Sequence, residues 1–338
     1  MTYLSRRGIE CIAVCYSNSS GNRPRRSLEQ EGVKLFYFDI PAKNHDAHVR
    51  TSRVSAISKL HEIIKEGDVL LTIFLPEKRA WGVARSAGAK VIQKYTLVYD
   101  GFDALEEWNN AVDMHIFNSG YCRGRWQEMG VEGLNMVIYP EVDFRVDASS
   151  YPGDGCIGMI NPTRHKGLEI FEKLSRAFPS EHFLAAGGWA LGNEGYHSDS
   201  SPIEYMKHMN DISSFYKRLK VLLVPTQDEH TETFGRAVLE AMFYGVPVIA
   251  SNKDGIPEAA DGAAMLIDDY GAVEPWMSAL RVMLKRDMLE KYHRLSVQRS
   301  GRYFLDTQIY RWHIAIRLLH GDFIDNDSDG CKEPKIPS

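Results

Sequence analysis

The apolar residues in the first half of the chain fall into short runs separated by longer amphipathic stretches. The runs have the length and composition of β-strands: Ile9–Cys15, Val33–Phe38, Val69–Phe74, Lys90–Gln93 and Met114–Asn118. Residues 52–65 and 77–87 have helical spacing, and Gly88 stands where the second helix would end. This alternation predicts parallel βα units and hence a doubly wound α/β domain.

The same alternation begins again after residues 139–155, which are rich in Pro, Gly, Asp and Ser and have no periodicity. Strands are predicted at Cys156–Ile160, His182–Ala186, Val221–Val224 and Pro247–Ala250. Helices are predicted at Leu168–Ala177, Ile203–Met209, Phe234–Tyr244 and Trp276–Lys285, with a final amphipathic helix at Phe304–Leu319. The second half is therefore predicted to be another parallel α/β domain.

The length of the chain also favours two domains. A single hydrophobic core seldom grows beyond about 250–300 residues, and this chain has 338. We place one domain at residues 1–148 and the other at 149–303, followed by a helix at 304–320 and a disordered acidic tail at 321–338. Ligands of open parallel sheets bind beyond the carboxyl ends of the strands, so the expected site is the cleft between the domains.

Composition and charge limit the classes of partner that the chain is expected to bind. A formal net charge of -5 gives no reason to expect nucleic acid. The five scattered cysteines lack metal-ligand spacing, which indicates reduced thiols and a cytoplasmic protein. No apolar run reaches the roughly 20 residues of a membrane helix, so at most peripheral membrane contact is expected. Asp325–Gly330 resembles the start of a calcium loop, but Ile336 stands where a Glu is required, and no metal site is predicted.

Two acidic residues stand out in the segment 220–258. Glu232 ends an acidic loop at the mouth of a predicted helix, and Glu240 lies two turns further along it. Between them, residues 233–236 offer the unpaired amides and positive dipole end that favour a phosphate or diphosphate. A carboxylate beside a phosphate is suited to accept hydrogen bonds from sugar hydroxyls. Together these features predict a nucleotide-sugar site.

The order of these residues resembles that of retaining glycosyltransferases of family 4. The motif Glu232-x7-Glu240 carries the resemblance, with further matches at Phe234-Gly235, Gly245-x-Pro247-Val248-Ile249-Ala250, Gly255-x-Pro257-Glu258, Asn118-Ser119-x-Tyr121, Ile138–Asp143 and Lys166-Gly167. The resemblance implies the GT-B fold, in which two Rossmann-like parallel-sheet domains face a cleft. It also implies an acceptor-side N-terminal domain, a donor-binding C-terminal domain and a last helix that crosses back to the N-terminal one.

The resemblance assigns roles to single residues. It implies that Lys166 binds the donor diphosphate, that Glu232 lies beside the transferred sugar, and that Glu240 holds the ribose. The remaining donor-binding candidates are Asn161, Arg164, Thr233, Phe234, Gly235, Arg236, Gly255 and Glu258. Many family members have Arg where this chain has Asn161, and Arg164 can replace it. Gln93, Tyr95 and Asp100 are the acceptor-side candidates, because they occupy the region where the family commonly has a His.

Each central assignment has a simpler structural alternative. Lys166 could be a surface lysine before a helix, and Glu240 a solvated helix residue. The apolar residues around Glu240 argue for burial, however, and a buried carboxylate needs a partner. Glu232 could be an ordinary acidic residue at a helix N-terminus, where the dipole favours a negative charge.

The resemblance implies transfer of a hexose from a UDP- or GDP-sugar to an acceptor hydroxyl, with retention of anomeric configuration and without a metal or other cofactor. The acceptor could be a saccharide, a lipid-linked sugar or a small molecule. Residues Met1–Ile9 resemble the end of the family's first helix, so roughly one βα unit is expected to be missing. The alternatives are a non-catalytic GT-B partner subunit and a sugar-nucleotide epimerase of the same fold.

Overall fold

The structure is a computed structural model that describes residues 11–17, 27–30, 33–39, 57–73, 78–98, 105–140, 142, 154–187, 202–206 and 212–321. The described strands are β1 (Cys11–Ser17), β2 (Ser27–Gln30), β3 (Val33–Asp39), β4 (Val69–Ile73), β5 (Lys90–Tyr95), β6 (Met114–Phe117), β7 (Asn135–Val137), β8 (Cys156–Ile160), β9 (Phe183–Ala186), β10 (Ile203–Met206), β11 (Leu219–Val224), β12 (Val248–Ser251) and β13 (Ala264–Ile267).

Helices follow most of these strands, as the sequence pattern predicts. Residues 57–63 are helical. The other described α-helices are Lys78–Ser86, Leu105–Ala111, Gly120–Glu128, Leu168–Ala177, Ser213–Tyr216, Arg236–Phe243, Ile256–Ala260, Val273–Met283, Arg286–Ser300 and Leu305–His320, and short 3-10 helices span Arg164–Lys166 and Gly301–Tyr303. None of the helices in the described part of the chain is long and apolar enough to cross a membrane.

The C-terminal domain is built on a doubly wound parallel sheet. Its described strands lie in the order β10-β9-β8-β11-β12-β13, and every neighbouring pair is parallel. The chain starts in the middle at β8, moves outward to β10, and then returns to β11 on the other side of β8. The strand order therefore reverses between β8 and β11, where this type of sheet opens a crevice for ligands.

The two faces of this sheet carry separate apolar clusters, because side chains alternate along each strand. Leu222 and Val224 of β11 pack with Val238 and Met242 of helix Arg236–Phe243 on one face. Val221 and Leu223 pack on the other face with helices Leu168–Ala177 and Val273–Met283, through Phe171, Leu174, Trp276 and Leu280. Burial of both faces explains why β11 reads as a continuous apolar run.

The described strands of the N-terminal domain form two sheets. Strands β4-β5-β6-β7 are parallel throughout. In the other described sheet, β1 pairs with β3 in parallel and β2 pairs with β3 antiparallel. Only two residues separate Gln30 from Val33, a connection short enough for antiparallel strands but too short for a parallel crossover. The predicted parallel α/β class thus holds for both domains, with β2 as an antiparallel addition.

The last helix, Leu305–His320, packs against the N-terminal sheet. Ala315 and Leu319 lie in a cluster with Ile92, Met114 and Ile116. The Arg311 guanidinium also donates to the carbonyl oxygen of Val137, at 3.0 Å. The helix follows the C-terminal domain in sequence, so its packing on the N-terminal sheet holds the two domains together.

Two sequence-based predictions differ from the structure. The helix predicted at Ile203–Met209 is wrong over its first part, where β10 pairs in parallel with β9. A segment of four residues fits either periodicity, and the free edge of β9 decides in favour of a strand. The predicted linker begins in packed structure, because Tyr139 and Val142 are buried in the C-terminal core cluster. The remaining linker residues 143–153, the tail after Gly321 and residues 1–10 lie outside the described part of the chain.

A buried histidine in the N-terminal sheet predicts acid sensitivity. His115 is 1% exposed, its Nδ1 lies 2.9 Å from the Tyr95 hydroxyl, and burial lowers its pKa from 6.5 to about 4. Between those values the unfolded chain binds more protons than the folded one, so stability falls as pH falls from 6.5 toward 4, by on the order of 3 kcal/mol in total. Urea unfolding of His115→Gln should show a smaller loss of stability between pH 7 and pH 5 than wild type, whereas His61→Gln, on the surface, should behave like wild type. An equal loss in all three proteins would contradict this.

Candidate active site

The loops that follow β8 and β11 begin side by side, at the point where the strand order reverses. Strands β8 and β11 are parallel neighbours, with Ile157 opposite Val221. Residues 161–166 follow β8 and residues 225–232 follow β11. Because both strands run in the same direction, the two loops begin at the same edge of the sheet. This arrangement brings Lys166 and Glu232 together although 66 residues separate them.

A glycine turn fixes the position of Lys166. Gly167 has φ of +88°, and a Cβ at this residue would lie 2.0 Å from the carbonyl oxygen of Pro225. Only glycine avoids both the left-handed strain and this clash. The turn therefore packs directly against the end of β11, and Lys166 immediately before it is directed toward the loop that carries Glu232.

The Lys166 ammonium forms an ion pair with the Glu232 carboxylate, and both side chains are about 20% exposed. The imidazole Nε2 of His230 lies 3.8 Å from the same carboxylate oxygen, Oε2. The ring of His165 is 5.1 Å from that of His230, between centroids. Burial, and then the positive charge of Lys166, lowers the pKa of His230. A ligand phosphate that reaches Lys166 therefore competes with the Glu232 carboxylate for the ammonium.

Residues Lys253–Gly255 hold the loop that carries Glu232. The Glu232 amide donates to Asp254 Oδ2 at 3.1 Å, and the Gly255 amide donates to the Glu232 carbonyl at 2.9 Å. Lys253 Nζ donates to the carbonyl oxygens of Gln227 and His230, at 2.9 and 2.8 Å. The loop is therefore anchored along its length by backbone and side-chain bonds from one turn.

The helix Arg236–Phe243 begins beside Glu232, and no side chain in the described part of the molecule caps its N-terminus. Gly235, with φ of +99°, is the residue at which the helix starts. The first amides of a helix have no partner within the helix, so an uncapped end presents donors and the positive end of the dipole. Phe234 just before it is 2% exposed and packs on Tyr139 and Tyr303, which fixes the backbone at this point.

Glu240 is a buried carboxylate with one hydrogen-bond partner on each oxygen. It is 9% exposed, accepts from the Tyr216 hydroxyl at 2.9 Å, and accepts from Arg236 Nε at 2.7 Å. Burial and the neighbouring carboxylate raise the pKa of Tyr216 well above its usual value, so the phenol remains a donor. Glu240 is therefore not a solvated helix residue, and it lies on the same helix whose first turn adjoins Glu232.

Asn161 and Arg164 lie on the β8 side of the site and differ in environment. The backbone of Asn161 has φ of +53°, and its side-chain Oδ1 is buried without a hydrogen-bond partner among the described residues. The Arg164 side chain is 84% exposed, and its Nε lies 3.5 Å from Glu169 Oε1. The structure therefore does not bring the Arg164 guanidinium to the Lys166–Glu232 pair.

Three predicted donor-binding residues take part in contacts within the protein: Thr233, Gly255 and Glu258. The Thr233 hydroxyl donates to the carbonyl of Thr96 at 2.7 Å and accepts from Asn118 at 3.0 Å. The polar atoms of Thr233 are thus used in the contact between the domains instead of being available to a ligand. Gly255 is buried, and a Cβ on it would lie 2.2 Å from the Thr233 carbonyl oxygen, so its role is close packing.

The Glu258 carboxylate caps a helix of the other domain. Its two oxygens accept from the amides of Gly120 and Tyr121, at 2.8 and 3.0 Å. These amides belong to the first turn of helix Gly120–Glu128, where a negative charge is also favoured by the dipole. Glu258 is therefore an interdomain contact in this structure, and its role in donor binding stays a prediction.

The acceptor-side candidates receive no support from their positions. Gln93 and Tyr95 are both 0% exposed. Gln93 donates to the carbonyl of Lys94 at 3.0 Å, and Tyr95 stacks on Phe117. Neither can touch an acceptor without unpacking the sheet, and Asp100 lies outside the described residues. Tyr121, Tyr216 and Asp254 were not predicted as site residues. Tyr121 belongs to the matched motif Asn118-Ser119-x-Tyr121, and Tyr216 and Asp254 only lie near matched motifs.

The Glu258 cap predicts a specific stability defect. Glu258→Ala would leave the amides of Gly120 and Tyr121 without acceptors in a partly buried interface, at a cost of about 1–3 kcal/mol in the free energy of unfolding. Glu274→Ala removes an exposed first-turn carboxylate of helix Val273–Met283 and should cost less than about 1 kcal/mol. Denaturant unfolding measures both changes. Equal effects of the two substitutions would show that Glu258 does not bridge the domains.

Comparison with known sequences matches the C-terminal domain to a family. Residues 155–286 match the model described as "Glycosyl transferases group 1". A D-inositol 3-phosphate glycosyltransferase of Segniliparus rotundus is 25% identical over 207 residues, which are 57% of this chain and 42% of the relative. The chain spans between 26% and 56% of the length of the curated relatives it matches.

Solved structures match nearly the whole chain. Sucrose-phosphate synthase from Thermosynechococcus elongatus superposes with a TM-score of 0.72 at 16% identity, over 95% of this chain and 91% of that one. HepE from Anabaena, in a complex with UDP and glucose, superposes with a TM-score of 0.62 at 15% identity, over 85% and 86% of the two chains. These likenesses establish the fold. The chain has the two-domain GT-B fold of glycosyltransferases, and residues 155–286 match the group 1 family model.

Proposed function

We propose that the protein is a glycosyltransferase that takes a sugar from a nucleoside diphosphate. The observation that carries this proposal is the Lys166–Glu232 ion pair at the strand-order reversal, beside the uncapped start of helix Arg236–Phe243. A cation and a row of free amides suit a diphosphate, and an adjacent carboxylate suits sugar hydroxyls. The family match over residues 155–286 and the UDP named with HepE support the same chemistry.

The donor diphosphate binds between Lys166 and the amides at the start of the helix. The incoming phosphate displaces the Glu232 carboxylate from the Lys166 ammonium. Glu232 is then free to accept hydrogen bonds from the hydroxyls of the transferred hexose. Glu240 holds the ribose of the UDP or GDP unit, and Tyr216 and Arg236 keep its carboxylate oriented inside the domain.

Transfer proceeds with retention of anomeric configuration by attack on the same face that the diphosphate leaves. The bond between the anomeric carbon and the phosphate oxygen breaks, and the acceptor oxygen bonds to that carbon. The acceptor proton passes to the departing phosphate, so the protein supplies no base. Lys166 and the helix amides stabilise the charge that develops on the diphosphate. Neither a metal nor a cofactor is part of this proposal.

The acceptor is the hydroxyl of a saccharide, a lipid-linked sugar or a small molecule. It enters from the side of the N-terminal domain, across the cleft from the donor. Contact between the domains excludes water, which would otherwise compete as an acceptor. The protein acts in the cytoplasm, and contact with a membrane surface is compatible with a lipid-linked acceptor.

Calorimetry with UDP and GDP distinguishes the roles of Lys166 and Glu232. Lys166→Met should weaken binding of the preferred nucleotide by about 10- to 100-fold, because a charge-assisted contact is lost. Lys173→Met, an exposed lysine of helix Leu168–Ala177, is the matched control and should bind as wild type does. Glu232→Gln should bind at least as tightly as wild type, because the competing carboxylate is gone, yet hydrolyse or transfer the donor sugar more slowly.

Other outcomes favour the alternatives. Loss of nucleotide binding in Glu232→Gln would contradict the proposed competition for Lys166. Nucleotide binding without slow release of nucleotide from any UDP- or GDP-sugar would favour a non-catalytic partner subunit. Conversion of the donor into an epimer, with no nucleotide released, would favour an epimerase. No binding of either nucleotide to wild type would overturn the donor site.

A further inference from the structure

The Asp254 carboxylate joins three parts of the molecule. Its Oδ1 accepts from the Tyr121 hydroxyl at 2.9 Å. Its Oδ2 accepts from the Glu232 amide at 3.1 Å and lies 3.2 Å from the Lys253 ammonium. The side chain is 17% exposed, so these partners largely replace water. Burial and the Asp254 carboxylate raise the pKa of Tyr121 to about 12, which keeps the phenol protonated and donating.

Each partner of Asp254 has a separate structural role. Tyr121 belongs to the first turn of helix Gly120–Glu128 in the N-terminal domain. Glu232 carries the carboxylate that pairs with Lys166. Lys253 holds the loop before Glu232 through two of its carbonyl oxygens. One carboxylate therefore connects the contact between the domains to both ends of the loop that bears Glu232.

The backbone at Asp254 strengthens this connection. Asp254 has φ of +55°, a left-handed conformation that Asp and Asn adopt more readily than most residues. The Asp254 carboxylate accepts from the Glu232 amide, and the next amide, that of Gly255, donates to the Glu232 carbonyl. Glu232 is thus held on both of its backbone groups by two consecutive residues.

We propose that Asp254 is a positioning residue that couples contact with the N-terminal domain, through the Tyr121 hydroxyl, to the placement of Glu232 beside Lys166. The inference rests on the proposed function for its catalytic consequence. Its structural part, the restraint of the Glu232 amide by Tyr121 through Asp254, stands on the hydrogen bonds alone. When the domains separate, the Tyr121 bond is lost and the Glu232 loop relaxes. The loop is then set for transfer only while the domains are in contact.

The test uses Tyr121→Phe, which removes one hydroxyl and keeps the aromatic ring. Hydrogen exchange of peptides covering residues 227–233 should become at least about 3-fold faster at the Glu232 amide. The turnover number for donor hydrolysis or transfer should fall about 10-fold, while the KM for the donor changes less than about 2-fold, because orientation rather than binding is lost. Asp254→Asn, which tolerates the left-handed backbone, should change both quantities in the same direction.

Tyr270→Phe is the matched control, because the Tyr270 hydroxyl donates to Asp228 of the same loop at 2.5 Å and not to Asp254. It should leave the Glu232 exchange rate and the turnover number within about 2-fold of wild type. Wild-type exchange in Tyr121→Phe, or faster exchange with unchanged turnover, would overturn the proposal. If wild type itself turns over no donor, the proposed function fails, and the exchange comparison alone then decides the coupling.

Discussion

The parallel pairing of β8 with β11 is the constraint on which the site depends. The two strands are neighbours in space but are separated in sequence by β9 and β10, and the loops after them leave the same edge of the sheet toward helices that pack on its opposite faces. In a sheet with this strand order, the ligand crevice lies beyond the carboxyl ends of the two strands at which the order reverses. Lys166 and Glu232 lie on these two loops, and Gly167 allows the first loop to pack on the end of β11.

The charged side chains of the site are paired with one another. Lys166 pairs with Glu232, Arg236 with Glu240, and Lys253 with Asp254. Removing an ion from water without a partner costs several kcal/mol, so partly buried charges are held in pairs. The pairing has a functional consequence under the proposed chemistry. A diphosphate exchanges one anionic partner of Lys166 for another, so the site need not keep an unpaired cation while it waits for the donor.

Local pattern predicted the elements, and the resemblance predicted the central residues. Strand Cys156–Ile160 and helix Leu168–Ala177 have the predicted bounds, because each carries a full period of apolar residues and a clear terminator. The meeting of Lys166 and Glu232 follows from strand order, which periodicity does not encode, and it was predicted only because the motif order resembles a family. The strand Ile203–Met206 was missed because pairing with β9 outweighs its local pattern.

The contacts between the domains could not be predicted from the sequence. Glu258 looks like a ligand-binding residue in its motif, yet its oxygens cap a helix that lies 138 and 137 residues away in sequence. The same holds for Thr233, which bonds to Thr96 and Asn118. Such pairings depend on how two independently folded domains dock, and no periodicity along the chain reports docking. The burial of Gln93 and Tyr95 could not be predicted for a related reason, since sequence position does not distinguish the buried part of a strand from the loop after it.

A crystal structure of the protein with the nucleoside diphosphate that it binds, UDP or GDP, tests the central claim most directly. The account predicts that the diphosphate lies between Lys166 Nζ and the first amides of helix Arg236–Phe243, with the Glu232 carboxylate displaced from Lys166 and the ribose hydroxyls on Glu240. A nucleotide bound elsewhere, with the Lys166–Glu232 ion pair intact, would contradict it.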